Sequence, residues 1–258
     1  MSRDDAIRGG PTRRDTIKYG SAVAAGGLFA GCLGDTEPAE ESEGDDDTDA
    51  YTVEMAPMGE VTFESVPERW AAYDGGYADM AVALGQADGL TGVGGADRYY
   101  TYVYDELPGV SVDRETVEAH PKVRTKEEFY ELDSDLHLYD PGMLHNWFDW
   151  SDADVEEIRT NVAPFLGNLI FRRSDEWHDY RYYTLYEAFE KVAKALDETE
   201  RYEAFAAFHD EYIASIQRRL PAPDERPNVF LTFEGTNEPA TFSPYRLTDQ
   251  GTSKKQWN

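Results

Sequence analysis

Cysteine is nearly absent: Cys32 is the only one in 258 residues. No internal disulfide can form, and no second thiol exists to act as a nucleophile. Histidine is scarce, with five residues and no His-x-His pair, His-rich loop or HExxH motif. The chain also lacks GxSxG, a P-loop and GxGxxG, which removes the motif-bearing hydrolases, nucleotide hydrolases and dinucleotide enzymes. The expectation is therefore no enzyme and no cofactor; an exported hydrolase without a motif is the enzymatic alternative. Positive charge is short, with 24 Lys and Arg against 52 Asp and Glu, a net charge of -28. Such a chain repels phosphates, so nucleic acid is excluded as a partner. It repels anionic lipid surfaces for the same reason. Long apolar runs are missing too. The most apolar stretch, Tyr19 to Leu33, is short and rich in Gly and Ala, more a signal core than a membrane span.

What is present argues for a folded, salt-adapted protein. Aromatic residues make up 13% and hydrophobic residues 40% of the chain, too many for an acidic disordered tail. Most of the positive charges are arginine. Self-repulsion at this charge opposes a compact state at low salt. At molar salt the Debye length falls to about 3 Å and the penalty is screened. The pattern is halophilic.

The N-terminus carries an address. Thr12-Arg13-Arg14-Asp15-Thr16-Ile17-Lys18 is a twin-arginine run, followed by the small-residue apolar stretch. That stretch ends in Leu28-Phe29-Ala30-Gly31-Cys32, which resembles a lipobox. Residues 1–32 are thus expected to be a signal, with Cys32 lipidated and the protein held on the outer face of the cytoplasmic membrane. A cleaved, fully secreted protein is the alternative. Residues 33–50 read as an acidic, solvated linker.

From Tyr51 onward, strands and helices alternate. Strands are expected at Val61–Phe63, Trp70–Tyr73, Leu90–Val93, Val110–Val112, Leu136–Tyr139 and Leu166–Phe171. Helices are expected at Tyr77–Leu84, Lys126–Leu132 and Asp152–Thr160. Asp74-Gly75-Gly76 and Asp140-Pro141-Gly142 read as turns. The alternation predicts an α/β fold with a parallel sheet flanked by helices, which binds ligands beyond the carboxyl ends of its strands. Two amphipathic helices follow, Tyr183–Leu196 and Glu200–Leu220. The second runs roughly 30 Å and carries Phe205, Phe208, Tyr212, Ile216 and Leu220 near one stripe. A strand at Asn228–Phe233 opens a further α/β unit.

Several stretches carry a family resemblance. They are Val66-Pro67-Glu68-Arg69, Gly76 to Gly85 (GYADMAVALG), Leu90-Thr91-Gly92-Val93-Gly94, and Phe129 to Leu138 (FYELDSDLHL). In this order they resemble the substrate-binding proteins of ABC importers that handle iron-siderophores, haem, cobalamin and metal ions, and most nearly the halophilic archaeal iron-siderophore type. The resemblance implies two α/β lobes joined by one long helix. Residues 51–182 would be the N-terminal lobe, 183–220 helices including the lobe-spanning one, and 221–258 only the start of a C-terminal lobe. It implies a monomeric, lipid-anchored protein that captures a ferric siderophore or related corrinoid and delivers it to a membrane permease. A single-lobe contact module or a non-functional fragment is an alternative.

The resemblance places half of a ligand cleft on the loops Tyr73–Tyr77, Gly94–Tyr100, Asp140–Trp147 and Phe171–Tyr183. Candidate ligand residues on the first three are Tyr73, Tyr77, Arg98, Tyr99, His145 and Trp147. The fourth is a basic, aromatic run with Arg172, Arg173, Trp177, His178, Arg181 and Tyr182. Arginine forks and wide aromatic faces suit bulky anionic ferric chelates. Surface pairing of these arginines with Asp175, Glu176 and Asp179 is the competing reading. Tyr245 and Arg246 are the candidates from the second lobe. A direct metal binder of the same fold would converge His145, His178 and Asp140. His137, inside a strand, reads as a core residue.

Overall fold

A computed structural model describes residues 50–171 and 175–227, with the backbone of 232–233 and 243–244. These residues fall in one unit, spanning Asp47–Asn258. The expected signal, Cys32 and most of the expected acidic linker lie outside the described residues, as do Arg172, Arg173, Tyr245 and Arg246.

The described chain opens with a hairpin. Strands β1 (Tyr51–Met55) and β2 (Gly59–Phe63) pair antiparallel with Tyr51 opposite Phe63. Their side chains alternate, with Val53, Met55, Val61 and Phe63 buried, as expected of a sheet wet on one face. The hairpin is tied to later helices: Tyr51 Oη donates to the Ala195 carbonyl (2.7 Å) and Ala56 N donates to Tyr183 Oη (3.0 Å).

The central sheet is parallel and three-stranded, ordered β4 (Leu90–Val93), β3 (Trp70–Ala72), β5 (Leu136–Leu138). Period-two alternation sends its side chains to two cores. Trp70, Ala72, Leu136 and Leu138 join one core with helices α1 (Gly75–Ala83), α2 (Arg114–Ala119) and α6 (Leu185–Ala195). Ala71 joins the other, with α3 (Lys126–Leu132), α4 (Pro141–Phe148) and α5 (Asp152–Asn161). Phe129 centres that second core, with edge-to-face contacts to Tyr139, Trp150 and Phe165 at 5.0, 5.3 and 5.7 Å. His137 is buried between Phe129 and Phe165. Burial depresses its pKa to about 3, against the opposing pull of the Ala163 backbone, so it is neutral.

Four expectations need correction. Asp74-Gly75-Gly76 is not a turn but the start of α1, with Asp74 as its cap. Val110–Val112 is not a strand; Val110 N closes a turn onto Leu107 (3.2 Å), and Asp113 then caps α2. Asp140-Pro141-Gly142 is a helix start rather than a closing turn: Asp140 caps α4 with Pro141 in its first turn. Leu166–Phe171 touches the sheet at one point, a parallel bridge of Phe165 to His137 with Leu166 N on the His137 carbonyl (2.8 Å). It then leaves because its amides have other acceptors: Asn168 N goes to Tyr77 Oη (2.8 Å) and Leu169 N to Asp140 Oδ2 (2.7 Å).

Helix α7 (Thr199–Arg219) follows α6 and differs from every other long helix, since it has no buried residue. Phe189 of α6 packs on Tyr202 and Phe205 at 5.2 and 5.5 Å, yet Phe205, Phe208, Tyr212 and Leu220 are all exposed. Beyond it, β6 (Thr232–Phe233) and β7 (Ser243–Pro244) pair antiparallel. Among the described residues no helix is long and apolar enough to cross a membrane.

Candidate functional site

Chain direction makes the site. β3, β4 and β5 are parallel and end on one edge, so the segments that follow them cluster there. After β3, Tyr73 leads into Asp74, which caps α1 by accepting from Tyr77 N (3.2 Å). After β4, Gly94 and Gly95 pass close to the first segment: a Cβ on Gly94 would lie 2.5 Å from Tyr139 Oη and 3.0 Å from the Tyr73 carbonyl. That tight passage brings Arg98 and Tyr99 back across the Tyr73 loop.

The result is an open cavity of about 390 Å³ lined by Tyr73, Asp74, Asp79, Arg98, Tyr99, Tyr100 and Phe171, with glycines 75, 76 and 95 leaving room. A second, more apolar hollow of about 350 Å³ adjoins it. The two share Asp74, Gly76, Asp79 and Phe171, and the second runs on to Leu185, Tyr186, Phe189 and Phe205. Beside the first cavity stands an aromatic ribbon: Tyr73 stacks on Phe171 (6.3 Å, 10°), and Trp147 contacts Tyr73, Phe171 and Trp177 at 6.2, 6.5 and 5.9 Å.

Charge in the wall is mixed. Arg98 lies within hydrogen-bond reach of the Tyr73 hydroxyl and lowers the pKa of Asp74, though burial outweighs it and holds Asp74 above the usual carboxylate range. Asp79 acts on Asp74 as a like charge. Burial raises Asp79 also, against a hydrogen bond donated by the Tyr104 hydroxyl. Tyr104 in turn pairs with Tyr99 (3.0 Å), and burial pushes the Tyr99 phenol up to about 12. Both phenols are neutral hydroxyls at ordinary pH, linked to each other and through Tyr104 to Asp79.

The other expected ligand residues have different employment. Tyr77 is buried, and its hydroxyl both donates to the Asn168 carbonyl (2.9 Å) and accepts from Asn168 N (2.8 Å). It braces the cleft loop from beneath and does not line the cavity. Arg181 pairs with Glu187 (2.8 Å) and lies over the Tyr183 ring at 4.7 Å, away from the cavity wall. His145 Nδ1 meets the Trp150 carbonyl (2.8 Å), with Nε2 3.5 Å from Asp152. His178 is buried in an aromatic stack, 3.6 Å from the Tyr182 ring centre and 5.6 Å from that of Trp177. Asp140 is buried and accepts from Gly142 N and Tyr180 Oη (both 2.8 Å) and from Leu169 N. His145, His178 and Asp140 thus do not converge, and the described residues hold no group of three or more His, Cys, Asp or Glu able to bind a metal ion. Asp74, Asp79, Tyr100 and Phe171 were not among the expected ligand residues. Asp74 was read as part of a turn; the signal that could have found its cap is an Asp directly before a helical period.

No protein-family model matches the sequence, and no curated protein matches it. Solved structures do. The siderophore-binding protein BauB, solved with two acinetobactin molecules and ferric iron, superposes with a TM-score of 0.52 at 19% identity, over 81% of this chain and 65% of that one. Holo-ViuP gives a TM-score of 0.50 at 13% identity, over 80% of this chain and 62% of that one. The chain therefore spans less than two thirds of the length of either. The α/β architecture, a parallel three-stranded sheet flanked by helices, is part of a periplasmic-binding-protein fold.

Proposed function

We propose that this chain supplies the first lobe and connecting helix of an exported, Cys32-anchored substrate-binding protein of an ABC importer. It captures a ferric siderophore, or a related corrinoid, outside the cell and hands it to a membrane permease. No bond of the solute is made or broken on it. The observation that carries this reading is the cavity at the carboxyl edge of the parallel sheet, walled by Tyr73, Asp74, Arg98, Tyr99 and Phe171. Its aromatic and mixed-charge lining and open shape suit one side of a bulky chelate, with a second surface closing from across the long helix. Fold likeness to siderophore-binding proteins supports the same class. The twin-arginine run, the halophilic charge balance and the anchor rest on the sequence. Equilibrium dialysis of the full chain in molar salt against radio-iron chelates and a corrinoid tests capture. Saturable retention of one of them is expected; retention of none refutes the reading. For the anchor, Cys32→Ala should move the protein from the membrane fraction to the medium.

One observation favours a second reading. The exposed Phe205, Phe208 and Tyr212 on α7 form an apolar face of the kind that marks a protein contact. A single-lobe contact module would co-purify with the permease and retain no small molecule.

A further inference from the structure

We propose that Asp140 is a positioning residue for the cavity: from the end of β5 it fixes where the Phe171 ring stands, and with it the wall that the two hollows share. The placement stands on geometry. Its effect on a solute rests on the reading of the cavity as a capture site.

Phe171 lines both hollows. Its ring is 38% exposed, so burial alone does not fix it. It stacks on Tyr73 and touches Trp147 at 6.3 and 6.5 Å. What aims it is the anchorage of its segment. Asp140 is 3% exposed and is itself held as the cap of α4 by Gly142 N (2.8 Å). The same carboxylate accepts from Leu169 N (2.7 Å), just before Phe171. It also accepts from the Tyr180 hydroxyl, which lies 2.8 Å from both of its oxygens. Asp140 thus grips the segment on either side of Phe171. A second tie runs beside it, where Asn168 Nδ2 donates to the Arg181 carbonyl (3.0 Å).

Gly142 makes the grip possible. A Cβ there would lie 2.5 Å from Tyr180 Oη and 3.1 Å from the Trp177 ring. Glycine lets Tyr180 reach Asp140 while Trp177 packs edge-on against Trp147 (5.9 Å, 90°). A carboxylate that accepts several donors makes strong, directional bonds. A binding wall needs such support, because a side chain that sits about 1 Å too loose no longer meets its ligand. Asp140 does this at second hand, through Leu169 and Tyr180.

The test uses the full chain in molar salt with para-fluorophenylalanine in place of Phe171, read by fluorine NMR. Equilibrium dialysis against radio-iron ferrioxamine B and ferric enterobactin, a cationic and an anionic chelate, reads retention. The unaltered chain should give a single line displaced from that of the unfolded chain. Asp140→Asn, Tyr180→Phe and Gly142→Ala should each move the line toward the unfolded position. Each should also weaken whichever chelate is retained by about tenfold. Since Asp140 and Tyr180 share one contact, their double variant should lose little more than the worse single variant. Alanine favours a helix over glycine, so Gly142→Ala keeps α4 formed and the test decisive if Asp140→Asn destabilises the chain. Melting curves check that each variant is folded. A lowered melting temperature with line and retention unchanged is the pattern of a purely structural residue and overturns the proposal. A moved line with undiminished retention overturns it as well. If the unaltered chain retains neither chelate, the capture reading falls, and the fluorine line alone decides the placement.

Discussion

Two loops of this protein begin alike and end differently. Tyr73-Asp74-Gly75-Gly76 follows β3, and Tyr139-Asp140-Pro141-Gly142 follows β5; each aspartate caps the next helix. Yet Tyr139 and Asp140 are buried, while Tyr73 and Asp74 are only partly covered and line the cavity. The difference comes from what crosses each loop. Leu169 N and the Tyr180 hydroxyl close over Asp140, and Phe129 packs on Tyr139. Over Asp74 pass Gly95 and Arg98, which leave a space. One motif, duplicated along one sheet edge, is structural where a later segment covers it and available to a ligand where none does.

The sharpest way to break this comparison is to remove both caps. Asp140→Ala strands Leu169 N and the Tyr180 hydroxyl as well as the cap, and should cost about 3–4 kcal/mol in urea unfolding. Equal losses at the two sites would show that the loops do not differ as described.

The next largest effect is pH-dependent. Burial raises Asp140 to about 6, against hydrogen bonds from Tyr180, Leu169 and Gly142. Its unfolded value is near 3.9. A carboxyl raised in the folded state binds its proton more tightly there than in the unfolded chain. Its contribution to stability is therefore fully present below about pH 4 and is lost as pH rises through about 6. Between those limits it amounts to roughly 3 kcal/mol. Unfolding titrations of the unaltered chain and Asp140→Asn should differ by this slope; parallel profiles would place Asp140 in a wetter site.

Asp74→Ala should cost only about 1 kcal/mol, the value of an N-cap, while changing chelate retention. The smallest effect is at Arg181. Its ion pair with Glu187 joins two largely exposed side chains, so Arg181→Ala should shift stability by less than about 0.5 kcal/mol. It should leave chelate retention unchanged; a loss of binding would return the fourth loop's arginine to the site.

Much of this was legible beforehand, for local reasons. Lys126–Leu132 and Leu90–Val93 form where expected. The first has a capping box at Thr125 and Glu128, and the second is a short apolar run bounded by glycine. Asp140-Pro141-Gly142 misled because the same residues that make turns also start helices. Leu166–Phe171 misled because an apolar run does not say where its amides will find acceptors. Within the site, Tyr73, Arg98 and Tyr99 could be nominated because the family resemblance puts ligand loops after the parallel strands, which share one edge. Asp79 could not, since it lies on a helix one turn in, among ordinary surface acids.

The sequence by itself determined the place of elements with strong local signals, such as Lys126–Leu132 and Leu90–Val93, and the net acidic charge. These depend on neighbours along the chain and on composition. Only the tertiary structure decided which of two similar aspartates is covered, which phenol braces a loop, and which arginine meets a carboxylate. Those outcomes depend on segments far apart in the chain, such as Asp140 with Leu169 (29 residues) and Tyr77 with Asn168 (91 residues). No local pattern encodes which amide will find which acceptor once the core closes.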